Sequence, residues 1–352
     1  MQCTKMQYIE FRILFQVSQG LLEKHKKKIS GKAVICVTLS LVIGVGAGWL
    51  TWKYKDQTEK TVSTETEQVQ TTGDNVIYEG KTYQYNKNLT NILFMGIDKD
   101  AQVLTGDIPG TAGQADCIMI LSLDQSDKTC KVLQISRDSM TGIDIYDSSG
   151  NYYTSINAQL ATQYAYGTGG ENSCWAMKKT VKELLYGLPI EGYFSMSIEG
   201  IGTFNDALGG VTLTVPEDYT NIDPAFEQGA EITLSGSQAE KYVRSRDTNV
   251  EGSNNGRMER QVQFVSALFS QLKEMETASQ ISYESLYRTM EPYLVTDLSV
   301  EQIKAMASYT YLSDETEYVP GKVVPGEKNE EFHVDEDALQ KLVLKMFYKE
   351  IK

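Results

Sequence analysis

Four arginines, Arg244, Arg246, Arg257 and Arg260, stand close together in a chain of 352 residues with 47 Asp and Glu against 33 Lys and Arg. They occupy two short segments, Tyr242-Val-Arg-Ser-Arg-Asp247 and Gly256-Arg-Met-Glu-Arg-Gln261, separated by a Gly/Asn loop. Guanidinium groups meet phosphate oxygens as planar, two-pronged donors. Gathering several of them in an acidic chain is unfavourable unless an anion neutralises them. The spacing therefore points to a phosphorylated substrate. Arg257 and Gln261 are four apart, which places them on one helix face. Arg244 and Arg246 share a side where the backbone is extended. Arg260 falls away from the apolar stripe of its helix and reads as a surface residue.

A second group of charges lies at the ends of three apolar runs, Asn91–Ile97, Cys117–Leu123 and Lys131–Ile135. Such runs read as strands covered on both faces. The polar segment 124–129 between the second and third reads as a tight connection. In an antiparallel meander, Asp98 ends the first strand, Asp116 begins the second, and Arg137 and Asp138 follow the third. All four then meet at one edge of the sheet. Each aspartate alone reads as a turn or cap residue, so the inference rests on their convergence. Mg²⁺ or Mn²⁺ suits such a place, because Mg²⁺ takes one or two carboxylates and completes its shell with water and phosphate oxygens. The loop 99–115, rich in Gly and small residues, is long enough to be a lid.

The elements that must position these groups follow from periodicity and breakers. Helices are expected over 157–166, 172–186, 201–208, 237–243, 299–309 and 335–348. A long helix begins near Asn255, where Met258, Val262, Val265, Phe269 and Leu272 form one stripe. Strands are expected over 193–198 and 211–215. Helices on both sides of a mixed sheet give an α/β or α+β fold in one domain.

Charge is unevenly divided. Residues 1–32 hold seven Lys and Arg against two Glu, a net of +5. Residues 33–52 are uncharged, so the rest carries −19 of the chain's −14 total. A body this acidic excludes nucleic acid as a partner, which needs a broad basic face. Residues 33–52 read AVICVTLSLVIGVGAGWLTW, about the length needed to cross a bilayer. Lys26, Lys27, Lys28 and Lys32 precede it, so the N-terminus is expected in the cytoplasm and the body outside. The rival reading is a cleaved signal peptide ending near Gly46-Ala-Gly48; the long stretch before the span opposes it. Residues 53–75 are rich in Thr, Glu and Gln and read as a solvated stalk.

Cys117, Cys130 and Cys174 have no metal spacing and read as small buried residues, with a Cys117–Cys130 bridge as an option. A Ser-His-Asp mechanism is disfavoured because His333 is the one histidine beyond the apolar segment. Ser270-Gln-Leu-Lys273 has the spacing of a serine acyl enzyme but lacks the partner motifs.

The motifs NILFMGID, ADCIMILSL, VLQISRD, SINAQ, DALGGV, YVRSRD and GRMERQ occur here in the order found in the LytR-CpsA-Psr (LCP) family, over roughly residues 88–275. The chain resembles that family. The resemblance implies an α/β/α catalytic domain over 76–352, with a C-terminal helical extension, outside the cytoplasmic membrane. It also implies transfer of a teichoic acid, capsule or similar glycopolymer from a polyprenyl (pyro)phosphate lipid to the 6-hydroxyl of muramic acid in peptidoglycan, with Mg²⁺. By the matching motifs, Asp98 and Asp116 are the metal ligands. Arg137, Arg244, Arg246 and Arg257 with Gln261 bind pyrophosphate, and Arg137, Asp138, Arg244 and Arg246 carry the chemistry. Asp138 is the candidate base or orients Arg137. Gln114 stands where the family often has arginine, and Ser155 where it often has lysine. The rival functions are a hydrolase using the same site and a non-catalytic wall-binding or regulatory protein.

Overall fold

Apolar residues alternate between two layers along the central strands, and this sets the architecture. The computed structural model describes residues 70–72, 75–99, 109–246, 253–327 and 329–351. All of them belong to one compact unit, Val69–Lys352. The segments read as cytoplasmic, membrane-spanning and most of the stalk lie outside the described residues. Among the described residues no helix is long and apolar enough to cross a membrane. Gln70–Thr72, at the end of the range read as a stalk, forms a strand paired with Asn75–Tyr78.

The central sheet is built on β1 (Leu89–Ile97), β2 (Ala115–Asp124) and β3 (Thr129–Gln134). They pair antiparallel in sequence order, the meander expected from the sequence. A hairpin of β4 (Met140–Tyr146) and β5 (Tyr152–Gln159) follows, outside the central sheet. β6 (Gly192–Ser197) then joins β1 in parallel, and β7 (Leu294–Thr296) joins β6 antiparallel. Thr310–Tyr311 and Glu317–Tyr318 add to β3 in parallel, so the seven-stranded sheet is mixed. A second hairpin, β8 (Gly321–Pro325) with β9 (Glu330–Val334), stands beside it.

Helices cover both faces. Ile92, Met119, Leu121 and Val132 face a core shared with α2 (Ile198–Ala207), α3 (Gly236–Arg244) and α4 (Ser253–Thr277). Leu93, Met95, Ile118, Ile120 and Leu133 face another, shared with α1 (Gly170–Leu184) and α5 (Glu336–Phe347). The two-sided burial explains why these strands are continuous apolar runs rather than alternating ones.

Two sequence expectations are corrected. The helix expected over 157–166 is instead the end of β5 followed by one helical turn, Thr162–Ala165. Tyr152-Tyr-Thr-Ser-Ile156 is aromatic and β-branched, and pairing with β4 settles it as a strand. Nor do Cys117 and Cys130 meet. The β2–β3 register sets Cys130 opposite Leu123, and all three described cysteines are free and buried.

Candidate active site

A bulge builds the site. Gly96 pairs with Cys117 and Ile97 with Ala115, which leaves Asp116 as the extra residue of β2. Bulges re-aim a side chain and end regular pairing. Here the bulge puts Asp116 at the sheet edge beside Asp98, the residue after β1. Asp98 and Gln114 then close the edge: Asp98 N donates to Gln114 O at 3.0 Å, and Gln114 N donates to Asp98 Oδ1. Gly113 makes this approach possible. Its φ is +88°, and a Cβ there would lie 3.0 Å from Ile97 Cγ2 and 3.2 Å from Asp98 Oδ1.

Arg137 follows β3 and reaches back across the edge. Its Nη1 donates to Asp116 Oδ1 and its Nη2 to Gln114 Oε1. Gln114 thus holds Arg137 in place. Arg137 Nε stands 3.4 Å from Asp138 Oδ1. From the other side, α4 delivers Arg257, whose Nη1 donates to Asp116 Oδ2 at 3.1 Å. Arg257 Nε and Nη2 donate to Asn254 Oδ1 at 3.2 and 2.7 Å, and Asn254 Nδ2 donates to Ser136 Oγ at 3.3 Å. Arg257 is 3% exposed. It stands behind Asp116 and contributes its field rather than an open donor face. Gln261, also buried, donates Nε2 to Val243 O at 3.1 Å.

Arg244 and Arg246 arrive on α3 and its exit. Ser235 caps α3 in a capping box with Gln238. Arg244 is its last residue, where a cation favours the helix dipole. Ser245 then turns extended. Arg244 is exposed and Arg246 half-buried, and they line two different grooves.

Arg260 corrects the sequence reading. It is 4% exposed, not a surface residue. Its Nε donates to Tyr242 O at 2.8 Å and an Nη donates to Ser245 O. Its guanidinium lies 4.6 Å from the Tyr219 ring centre. The segment 242–246 folds over this side of α4, which periodicity within the helix alone did not register.

The electrostatics follow from burial among cations. Burial raises the Asp98 carboxyl above its ordinary range; the Gln114 N–H and Arg137 and Arg244 oppose this, while Asp116 adds to it. Burial likewise raises Asp138, against the pull of Arg137, Arg246 and Arg257. Burial lowers Arg257, with Asp116 opposing. Among the described residues no three His, Cys, Asp or Glu side chains gather as a metal site. The pair Asp98 and Asp116 still fits Mg²⁺, a hard cation that takes as few as one or two carboxylates.

Two grooves meet at this cluster. One is a narrow apolar groove between the sheet and α4. Phe94, Phe194, Met196, Phe264, Leu268 and Met306 line it, and Asp98, Asp116 and Arg244 are also on its wall. The other is polar and includes Arg137, Asp138, Gln159 and Arg246. The sequence reading missed Asn254, the role of Gln159 and the groove linings. Only the α4 stripe, with Val265, Phe269 and Leu272 in the apolar lining, hinted at one wall.

The fold and the site define an α/β sandwich protein with a guanidinium-ringed carboxylate edge and an adjoining apolar groove. The profile of the LytR_cpsA_psr family matches residues 51–348, and the chain belongs to that family. Polyisoprenyl-teichoic acid–peptidoglycan teichoic acid transferase TagV of Bacillus subtilis (strain 168) is 28% identical over 263 residues, 73% of this chain and 60% of TagV. The chain thus spans about 60% of the length of that curated relative. The crystal structure of Bacillus subtilis TagV superposes with a TM-score of 0.54 at 20% identity, covering 74% of this chain and 97% of that one. The structure of TagT bound to LI-WTA superposes with a TM-score of 0.53 at 21% identity, covering 74% and 89%. These structural likenesses establish a shared fold.

Proposed function

We propose that the protein transfers an anionic or capsular glycopolymer from a polyprenyl (pyro)phosphate lipid to peptidoglycan, by phosphoryl transfer to a muramic acid 6-hydroxyl. The observation that carries this reading is the apolar groove with Asp98, Asp116 and Arg244 on its wall. A polyprenyl chain is apolar along its length and anionic at its end, and the groove matches both. The name of the TagV relative, a teichoic acid transferase acting on peptidoglycan, supports the same reaction.

In this reading Arg137, Arg244 and Arg246 hold the pyrophosphate, with Arg257 and Gln261 behind them. The acceptor oxygen forms a new bond to phosphorus, the bond to the lipid phosphate breaks, and polyprenyl phosphate leaves. Negative charge grows on the leaving oxygens, where pre-placed guanidinium groups stabilise it most. Asp138 takes the proton of the acceptor hydroxyl, and burial raises its affinity for protons in the direction a general base needs. Asp98 and Asp116 would hold Mg²⁺ or Mn²⁺, which supplies Lewis-acid charge to the phosphate oxygens when bound. The apolar segment 33–52 anchors the protein in the cytoplasmic membrane, with the N-terminus inside and the body outside. That placement keeps the site near both the lipid donor and the wall.

The test is to incubate the full-length protein with a polyprenyl-pyrophosphate glycan and a peptidoglycan oligomer, with and without Mg²⁺. A product joining glycan to peptidoglycan through phosphate, formed only with Mg²⁺, is expected. Release of glycan phosphate to water with acceptor present would make the protein a hydrolase. No turnover with intact lipid binding would leave it a binding protein.

A further inference from the structure

The polar groove on the far flank of the cluster has a wall built by a late part of the chain. It lies between the Arg137–Asp138 turn and the tip of the β8–β9 hairpin, with a volume of about 570 Å³. Gln114, Asp138, Gln159, Arg246 and Ser253 line one side, and Asn329 lines the other. Amides, a carboxylate, a guanidinium and a hydroxyl together offer both donors and acceptors. An apolar chain seated there would strip these groups of water without replacing it. A hydroxyl-rich ligand exchanges hydrogen bonds with both kinds.

The hairpin is fixed to the catalytic turn. Phe332 N donates to Asp138 O at 2.9 Å, and Ser139 and Phe332 pair in a parallel bridge. Phe332 is buried in the core beneath. The tip is closed by Gly326 N donating to Asn329 O at 3.0 Å. A Cβ at Gly326 would lie 2.3 Å from Asn329 O, so the close approach requires glycine there. Gln159 makes the remaining link. Its Nε2 donates to Glu330 O at 2.8 Å and to Asp138 Oδ1 at 3.1 Å. One side-chain amide therefore ties the groove wall to the acid at its floor.

We propose that this groove seats a saccharide and that Gln159 is a positioning residue locking the 325–330 wall to Asp138. The saccharide's identity rests on the transfer reaction above. It is either the acceptor glycan of peptidoglycan or the glycan carried by the lipid. Both present the same hydroxyl chemistry, and binding measurements separate them.

The experiment uses the full-length protein in detergent and two variants. Asn329→Trp fills the groove from an exposed position, where the fold tolerates it; Gln159→Ala cuts the link. Three probes are titrated: a peptidoglycan oligosaccharide, a polyprenyl pyrophosphate bearing a glycan, and the same lipid without one. Both variants should weaken one saccharide ligand about tenfold or more, which is about 1.4 kcal/mol, and leave the glycan-free lipid unchanged. Loss with the oligosaccharide assigns the groove to the acceptor; loss with the glycan-bearing lipid assigns it to the donor. In turnover, Gln159→Ala should raise KM for that saccharide and lower kcat. A mere loss of folded protein would lower kcat at constant KM. Unchanged affinity for both saccharides in both variants overturns the proposal. Should the wild type bind the oligosaccharide in an Asn329→Trp-sensitive way yet form no joined product, the transfer reaction fails while the groove assignment stands.

Discussion

Arg257 Nη1 donates to the Asp116 carboxylate at 3.1 Å from a guanidinium that is almost wholly buried. Arg137 takes the other oxygen of the same carboxylate. Asp116 is thus the hinge of the cluster, held between a guanidinium in the interior and one at the groove. Asp116→Asn leaves the buried Arg257 without its counter-charge. Breaking such a pair costs about 3 kcal/mol, so urea unfolding should shift to markedly lower concentration. Inorganic pyrophosphate supplies negative charge to the same guanidinium groups and should recover part of the loss. A variant as stable as wild type, or one indifferent to pyrophosphate, contradicts this role for Asp116.

Arg246 is half-buried at the polar groove, near enough to Asp138 and Arg257 to act on both. Hydrogen bonds to charged groups contribute about 1.5–3 kcal/mol. Arg246→Ala should therefore weaken polyprenyl-pyrophosphate binding by roughly 10- to 100-fold, with a shallower dependence on salt. Isothermal titration at two salt concentrations checks it; near-normal binding would remove Arg246 from the phosphate seat.

The sequence made part of this site legible and hid the rest for physical reasons. Asp98, Asp116, Arg137 and Asp138 were readable because apolar strands with polar ends fix where the ends fall. Arg257 and Gln261 were readable because helical spacing sets their face. Arg260 was not, because its burial comes from segment 242–246 crossing α4, a contact remote from the helix's own pattern. Gln159 stands in the SINAQ motif, but its role was not legible, because the hairpin it holds begins at Gly321, far along the chain. The helix expected over 157–166 failed for a similar reason: pairing with β4 overrode local tendency.

Leu268 is 5% exposed and lines the apolar groove. Burying an apolar chain contributes about 0.8 kcal/mol per methylene, so affinity should climb with lipid length until the groove is full. Leu268→Trp shortens the usable space. Its affinity for short polyprenyl phosphates should match wild type, while the gain from added isoprene units stops earlier. Parallel length series for the two proteins would not separate if the lipid lies elsewhere.

Asp138 has a direction of titration that fixes its pH behaviour. Burial raises its folded-state pKa, above an unfolded value of about 3.9. The protonated carboxyl favours the folded state at low pH, and this stability is lost as pH rises through the folded pKa. At pH 7 the ionised side chain is a cost to folding. Asp138→Asn should be as stable as wild type or more stable at pH 7, with the difference vanishing below about pH 4. Its transfer rate should fall about 100-fold. Lower stability at pH 7 would mean that the ion pair with Arg137 outweighs burial.

Arg260 tests how the arginine cluster is carried. Its guanidinium serves two backbone carbonyls, of Tyr242 and Ser245, and lies against the Tyr219 ring. Those carbonyls flank Arg244 in sequence. Arg260→Ala strands one buried and one part-buried acceptor and a ring face, a loss of about 3 kcal/mol. The same change loosens the segment that presents Arg244 and Arg246, so lipid-pyrophosphate affinity should drop although the Arg260 guanidinium is directed at the Tyr242 and Ser245 carbonyls and the Tyr219 ring. Arg260→Lys restores the charge but cannot reach both carbonyls at once. It should recover less than half of the stability and little of the affinity. Full recovery by lysine would mean that charge alone, not the guanidinium fork, holds the segment in place.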